Sequence, residues 1–145
     1  MVASIETVLI ARSPADVFAY TSDLRNEPSW NVEVVSVASG ADETGLEVGR
    51  SYATRFVPFL AEEEGTLSVV EVEPGTSVIL QTEFAGLTSR ITYSYAAHGQ
   101  GTRFTRDVEV HPVGMLRLIT PFVRRRVRRA NRRDVANLKR LLEAD

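Results

Sequence analysis

The sequence predicts an α+β fold in which a curved, seven-stranded antiparallel sheet closes around one long C-terminal helix, with two short helices after the first strand. Three observations carry this expectation. Seven segments alternate apolar and polar residues with the period of a strand. The last six are joined by turns rich in Gly, Pro or acidic residues, and short links of that kind favour antiparallel neighbours. Residues 114–143 then space their apolar side chains by three and four, as one face of a helix does.

The chain begins with a strand over residues 4–11, with Ile5, Thr7, Leu9 and Ala11 on one side and Glu6, Val8 and Ile10 on the other. Ser13-Pro14-Ala15-Asp16 starts a helix: Ser13 suits the N-cap, Pro14 lacks only an N–H that the first turn does not use, and Asp16 lies near the positive end of the helix dipole. Val17, Phe18 and Tyr20 give that helix a side to bury. Residues 23–30 form a second short helical turn, closed by Pro28 and ending on Trp30, the only tryptophan. Six strands follow at residues 32–39, 51–57, 66–73, 76–84, 87–97 and 102–111, with turns at 40–49, 58–65, 74–75, 85–86 and 98–101. Within 66–73 the apolar side switches from Leu67 and Val69 to Val70 and Val72, which predicts a bulge. On the other strands one face collects large side chains: Tyr52 and Phe56, then Val78, Leu80 and Phe84, then Ile91, Tyr93 and Tyr95, then Phe104, Val108 and Val110.

In the long helix the apolar stripe is Leu116, Ile119, Val123, Val127, Ala130, Leu138 and Leu141, and Asp134 is its one gap. Pro121 removes an internal hydrogen bond and predicts a bend or an early break near residues 119–122. At about 1.5 Å per residue the helix spans roughly 45 Å, enough to cross a small domain. Met115, Leu118 and Phe122 widen the stripe in its first half, which suits the roof of a cavity. The opposite face carries Arg124, Arg125, Arg126, Arg128, Arg129, Arg132 and Arg133. Such a face is either simply solvated or seeks anions: phosphate, an acidic lipid or an acidic protein.

A chain of 145 residues is expected to form one domain over residues 1–145, burying about 70% of its unfolded surface around a single core. The absence of cysteine excludes disulfides, thiolate metal sites and a cysteine nucleophile. Residues 1–11 carry Glu6 and alternate, which fits neither a signal peptide nor a membrane span, so a soluble cytoplasmic protein is expected. The net charge of −2 conceals an asymmetry: residues 112–145 hold ten Lys and Arg against three acids, and residues 1–111 hold seven against sixteen. An acidic body with one basic helix is not the broadly basic surface of a nucleic-acid binder.

The order strand, two short helices, six strands and long helix, with Ala11-Arg12-Ser13-Pro14-Ala15-Asp16-Val17-Phe18 and Trp30 some twelve residues later, resembles the START-like helix-grip superfamily. Within it the chain looks most like the polyketide cyclase/dehydrase and lipid-transport branch. The resemblance covers nearly the whole chain, but its motifs are packing and capping residues that specify a fold and not a reaction. It implies a cavity between sheet and helix for a hydrophobic small molecule, in a protein that is a carrier, a sensor or an enzyme.

The candidate cavity wall is Trp30, Tyr52, Phe56, Tyr93, Phe104, Met115, Ile119 and Phe122; the alternative for each is an ordinary place in the core. Tyr93 and Tyr95 bring hydroxyls. Alternation turns Arg106 inward with Phe104 and Val108, where it needs a ligand carboxylate or an internal acid such as Asp134 or Glu71, unless it lies at the strand edge with its head in water. Asp134 has Asn131 and Asn137 three residues to either side and either holds a loop or pairs with an arginine. His98 and His111 have no metal-ligand spacing, Glu62-Glu63-Glu64 reads as an exposed acidic loop, and no phosphate-binding loop, dinucleotide fingerprint or nucleophile elbow is present, so no metal and no cofactor are expected. Three functions stay open: a binder of a hydrophobic small molecule, a polyketide cyclase/dehydratase-like enzyme in which Arg106 and Tyr93 polarise a carbonyl, and an interaction protein using the arginine face on an anionic membrane or acidic protein.

Overall fold

The computed structural model describes residues 1–38 and 46–144. Strand β1 (Val2–Ile10) leads into α1 (Pro14–Ser22), a 3-10 turn at Leu24–Asn26 and the single turn α2 (Glu27–Trp30). Six strands follow: β2 (Val34–Val37), β3 (Ser51–Phe59), β4 (Glu62–Glu73), β5 (Ser77–Phe84), β6 (Leu87–His98) and β7 (Gly101–Pro112). The chain ends in a 3-10 segment (Gly114–Ile119) and α3 (Thr120–Glu143). The strands form one antiparallel sheet in the order β1-β7-β6-β5-β4-β3-β2, curled around α3, which packs chiefly on β1. This is the helix-grip arrangement. No described helix is long and apolar enough to cross a membrane.

Local chemistry sets the joints. Ser13 Oγ accepts the N–H of Asp16 at 3.2 Å and caps α1, with Pro14 in the first turn. Ala85 and Gly86 both take positive φ (53° and 78°), the two-residue turn whose twist suits a hairpin. A Cβ at Gly86 would come within 2.7 Å of Leu116 Cδ1, so glycine also lets the 3-10 segment lie on this turn. In β4 the register against β5 shifts between Val69 and Glu71, which is the bulge that the change of phase predicts.

Of the two sides of β1 the even-numbered one is the inner: Val2, Ser4 and Ile10 are buried, while Ile5 and Leu9 are exposed, because α3 covers that face. Several expectations are corrected. The turn expected over residues 58–65 shrinks to Leu60–Ala61, both at positive φ, and Glu62-Glu63-Glu64 are strand residues, not a loop. Their side chains all face water, and Glu64 lies opposite Arg55, so pairing rather than burial makes them strand. Strand β2 is shorter than expected; Ser39 and residues 40–45 of the adjoining turn lie outside the described residues. The long helix breaks where Pro121 predicts, with 3-10 turns before Thr120 and α-helix after it. Near its end Leu142 packs against the core, whereas Leu141 is more exposed.

Candidate functional site

The concave face of the sheet and α3 bound a cavity of about 130 Å³. Its walls are mostly apolar: Phe56, Leu67, Ile91 and Val108 come from four strands, and Val123, Val127 and Ala130 from α3. An apolar cavity of roughly 150 Å³ is large enough to take up benzene. This one therefore has room for a group of about one ring.

The cavity wall also has a polar part, made by Glu27 and Asn31 of the α2 turn, Arg106 of β7, and Asn131 and Asp134 of α3. Strand alternation carries Arg106 inside, where it is only 4% exposed. Its Nη1 donates to Asp134 Oδ2 at 2.8 Å and to Asn131 Oδ1 at 3.0 Å. Asp134 Oδ1 accepts the N–H of Val32 at 2.9 Å, and Asn131 Nδ2 donates to the Ser4 and Arg106 carbonyls, each at 3.1 Å. Asp134 thus both holds a loop and pairs with the arginine. The guanidinium lies over the rings of Trp30 (5.5 Å) and Tyr93 (5.9 Å), which pack on each other and on Phe104.

Glu27 is 2% exposed, and its Oε1 accepts the Tyr93 hydroxyl at 2.5 Å. Three buried polar atoms among these residues have no protein partner: Glu27 Oε2, Arg106 Nε and Trp30 Nε1. Burial pushes the Glu27 carboxyl up to about 7; Arg106 and the Tyr93 hydroxyl pull against that shift, and Asp134 adds to it. Burial, then the neighbouring Glu27, holds the Tyr93 phenol well above its ordinary value. Burial alone would weaken the charge on Arg106, but Asp134, with Tyr93 and Glu27, outweighs it and keeps the guanidinium charged. Asp134 is raised by burial and drawn back by Arg106. One guanidinium therefore faces two buried carboxyls. The directly bonded one, Asp134, takes the ion pair, and Glu27 keeps its proton up to about pH 7.

Beside the cavity, Arg126 spans from α3 to Glu33 at 2.8 Å and lies 5.0 Å from the Phe59 ring centre. All three line the cavity, and Phe122 stacks on the outer side of this group at 6.5 Å from Phe59.

Of the wall residues expected from the sequence, the structure places Phe56 and Arg106 on the cavity. Trp30, Tyr93 and Phe104 are fully buried and support Arg106, and Tyr52 belongs to the core. Ile119 is half-buried against that core, whereas Met115 and Phe122 are 83% and 59% exposed. The main residue that sequence reasoning missed is Glu27. It lies in a four-residue turn too short to show a period, and only the packing of α2 against the sheet buries it. Among the described residues no cluster of three His, Asp or Glu side chains comes together that could hold a metal.

The fold recurs in solved structures. Protein CV1439 from Chromobacterium violaceum is 18% identical with a TM-score of 0.73, covering 99% of this chain and 98% of that one. TTHA0849 from Thermus thermophilus gives 15% and 0.75, with 97% and 96% covered. A START superfamily protein from Mycobacterium smegmatis gives 16% and 0.74, with 97% of each covered. Identities this low establish the shape alone. No curated protein matches the sequence. Residues 1–143, however, match the family of polyketide cyclase / dehydrase and lipid transport proteins from end to end, and the chain belongs to that family.

Proposed function

We propose that the protein binds a compact hydrophobic small molecule in the cavity between the sheet and α3, as a carrier or sensor. The observation that carries this reading is the cavity itself: apolar walls around a space of one ring, with a few fixed polar groups, is the composition of a ligand site. Family and fold are those of START and polyketide-cyclase-type ligand-binding domains, which supports the same reading. A cavity of about 130 Å³ encloses only part of a larger ligand. The remainder would emerge past Phe59 and Arg126. Toluene is a suitable probe. Val127→Trp fills the cavity from a half-buried position on α3 and is expected to weaken toluene binding at least about tenfold while the protein stays folded. Unchanged binding would place the site elsewhere.

A second observation favours contact with an anionic membrane. Arg124, Arg125, Arg128, Arg129 and Arg133 form no ion pair with any described carboxylate, whereas Arg126 pairs with Glu33 and Arg132 lies 3.6 Å from Glu6. These arginines also gain nothing from the helix dipole, which favours cations at the last turn and not near the first. Exposed Met115 and Leu118 of the 3-10 segment and Phe122 of the first turn of α3 lie just ahead of them in the chain, and apolar side chains beside cations suit a lipid interface. Sedimentation with phosphatidylglycerol vesicles is expected in about 0.1 M salt and should be largely lost in about 0.5 M. Binding that ignores salt, or none, would remove the membrane from this reading.

A further inference from the structure

We infer that the polar part of the cavity wall reads a carbonyl oxygen on the ligand, that of a ketone, aldehyde or ester, and that Glu27 donates the hydrogen bond. The inference rests on the proposed cavity binding and deepens it by naming the polar group the ligand carries. Two of the residues lining this part, Glu27 and Arg106, are each more than nine-tenths buried and each keep one polar atom without a partner. Buried polar atoms in a folded protein are nearly always paired, so each such atom calls for an explanation.

The chemistry of those atoms defines the partner. Arg106 Nε carries an N–H and can only donate. Glu27 faces the Tyr93 hydroxyl from β6, the Arg106 guanidinium from β7, the Asp134 carboxylate from α3 and Asn31 on its own turn. Tyr93 donates to Oε1. An undissociated Glu27 then presents an O–H at Oε2, a second unpartnered donor.

A carbonyl oxygen accepts from such donors and brings no proton of its own. A hydroxyl would accept too, but it adds a donor that also needs a partner. A ligand carboxylate is disfavoured by the same environment that keeps Glu27 protonated, because Asp134 already balances the charge of Arg106. A cationic ligand would meet that guanidinium directly. The apolar walls accept the ring, and the polar part accepts the oxygen.

The test compares three probes of one size: acetophenone, ethylbenzene and benzoate, titrated into the intact protein and followed by protein NMR. Acetophenone is expected to bind about tenfold tighter than ethylbenzene at pH 6, with benzoate weakest. At pH 8, where Glu27 has lost its proton, that preference should fall about tenfold. Glu27→Gln puts an N–H₂ where the O–H was, so it should keep the preference at both pH values. Glu27→Leu should abolish the preference and leave ethylbenzene binding in place. Equal binding of ketone and hydrocarbon by the wild type overturns the inference while leaving the cavity reading intact. So does a preference that survives in Glu27→Leu, or benzoate as the tightest ligand. Failure of all three probes to bind overturns both readings.

Discussion

The C-terminal helical segment is treated differently at its two ends. Its last part is tied to the link between β1 and α1 and to α2 by polar contacts as well as by packing. Arg12 Nε donates to the Leu142 carbonyl at 2.7 Å, the Ala11 N–H donates to Glu143 at 2.8 Å, and Asn137 Nδ2 reaches the Trp30 carbonyl at 3.2 Å, around a fully buried Leu138. Its first part is tied more sparingly, through the Arg126–Glu33 pair. The helix starts at Thr120 without a side-chain cap, and Met115, Leu118 and Phe122 stand in solvent. The comparison separates holding from receiving. One end fastens the helix across the grip, and the other leaves it over a cavity with apolar and cationic groups outside. The Arg106, Asn131 and Asp134 cluster lies between the two.

That cluster is where the largest effect is expected. Asp134→Leu leaves a buried guanidinium without its bonded counter-charge, and breaking a buried pair in this way costs about 3–5 kcal/mol. A fall in Tm of about 10 °C or more should follow for a chain of this size. The double variant Arg106→Met with Asp134→Leu removes both charges and should recover most of the loss. Thermal melts of the single and double variants measure this. A double variant as unstable as the single one would show that Asp134 matters for its bond to Val32 and not for the charge it balances.

Next in size is a pH effect set by Glu27. Its carboxyl is raised from 4.5 to about 7, so across that window the folded protein holds a proton that the unfolded chain has released. Rising pH therefore draws the equilibrium toward the unfolded state. A shift of this size corresponds to roughly 2–3 kcal/mol of stability lost between pH 5 and pH 8. Denaturant midpoints across that range should fall in the wild type and stay nearly level in Glu27→Gln. A level wild-type profile would mean that Glu27 is charged at neutral pH and that its environment is wetter than its burial indicates.

These two residues also mark how far the sequence could be read. Period-two alternation is a local property, so it placed the seven strands, turned Arg106 inward and exposed Asp134 as a polar break in an apolar stripe. The β4 bulge was legible for the same reason, since a slipped phase has to be absorbed somewhere. Glu27 was not, because nothing within Glu27-Pro28-Ser29-Trp30 distinguishes a buried acid from a surface one. The difference between cavity wall and core was equally out of reach. Tyr93 and Phe104 face inward as alternation requires and Trp30 ends the α2 turn, yet all three are spent on supporting Arg106 and do not line the cavity.

The 3-10 segment explains the last discrepancy and yields the smallest expected effect on stability. A stripe extended at 3.6 residues per turn puts Met115, Leu118 and Phe122 beside the roof of the cavity. A 3-10 helix has three residues per turn, so positions three apart share a side. Leu116 and Ile119 therefore turn inward together, while Met115 and Leu118 turn outward at 83% and 79% exposure. Replacing both by serine removes apolar surface that touches almost nothing in the fold, so stability should change by no more than about 0.5 kcal/mol. Vesicle binding should fall several-fold, because apolar side chains that enter the lipid interface supply part of its free energy. Chemical melts and phosphatidylglycerol sedimentation on the same preparation separate the two. A double serine variant that loses stability instead would show these side chains to be folded inward in solution, and the contrast between the two ends of the segment would then rest on the arginines alone.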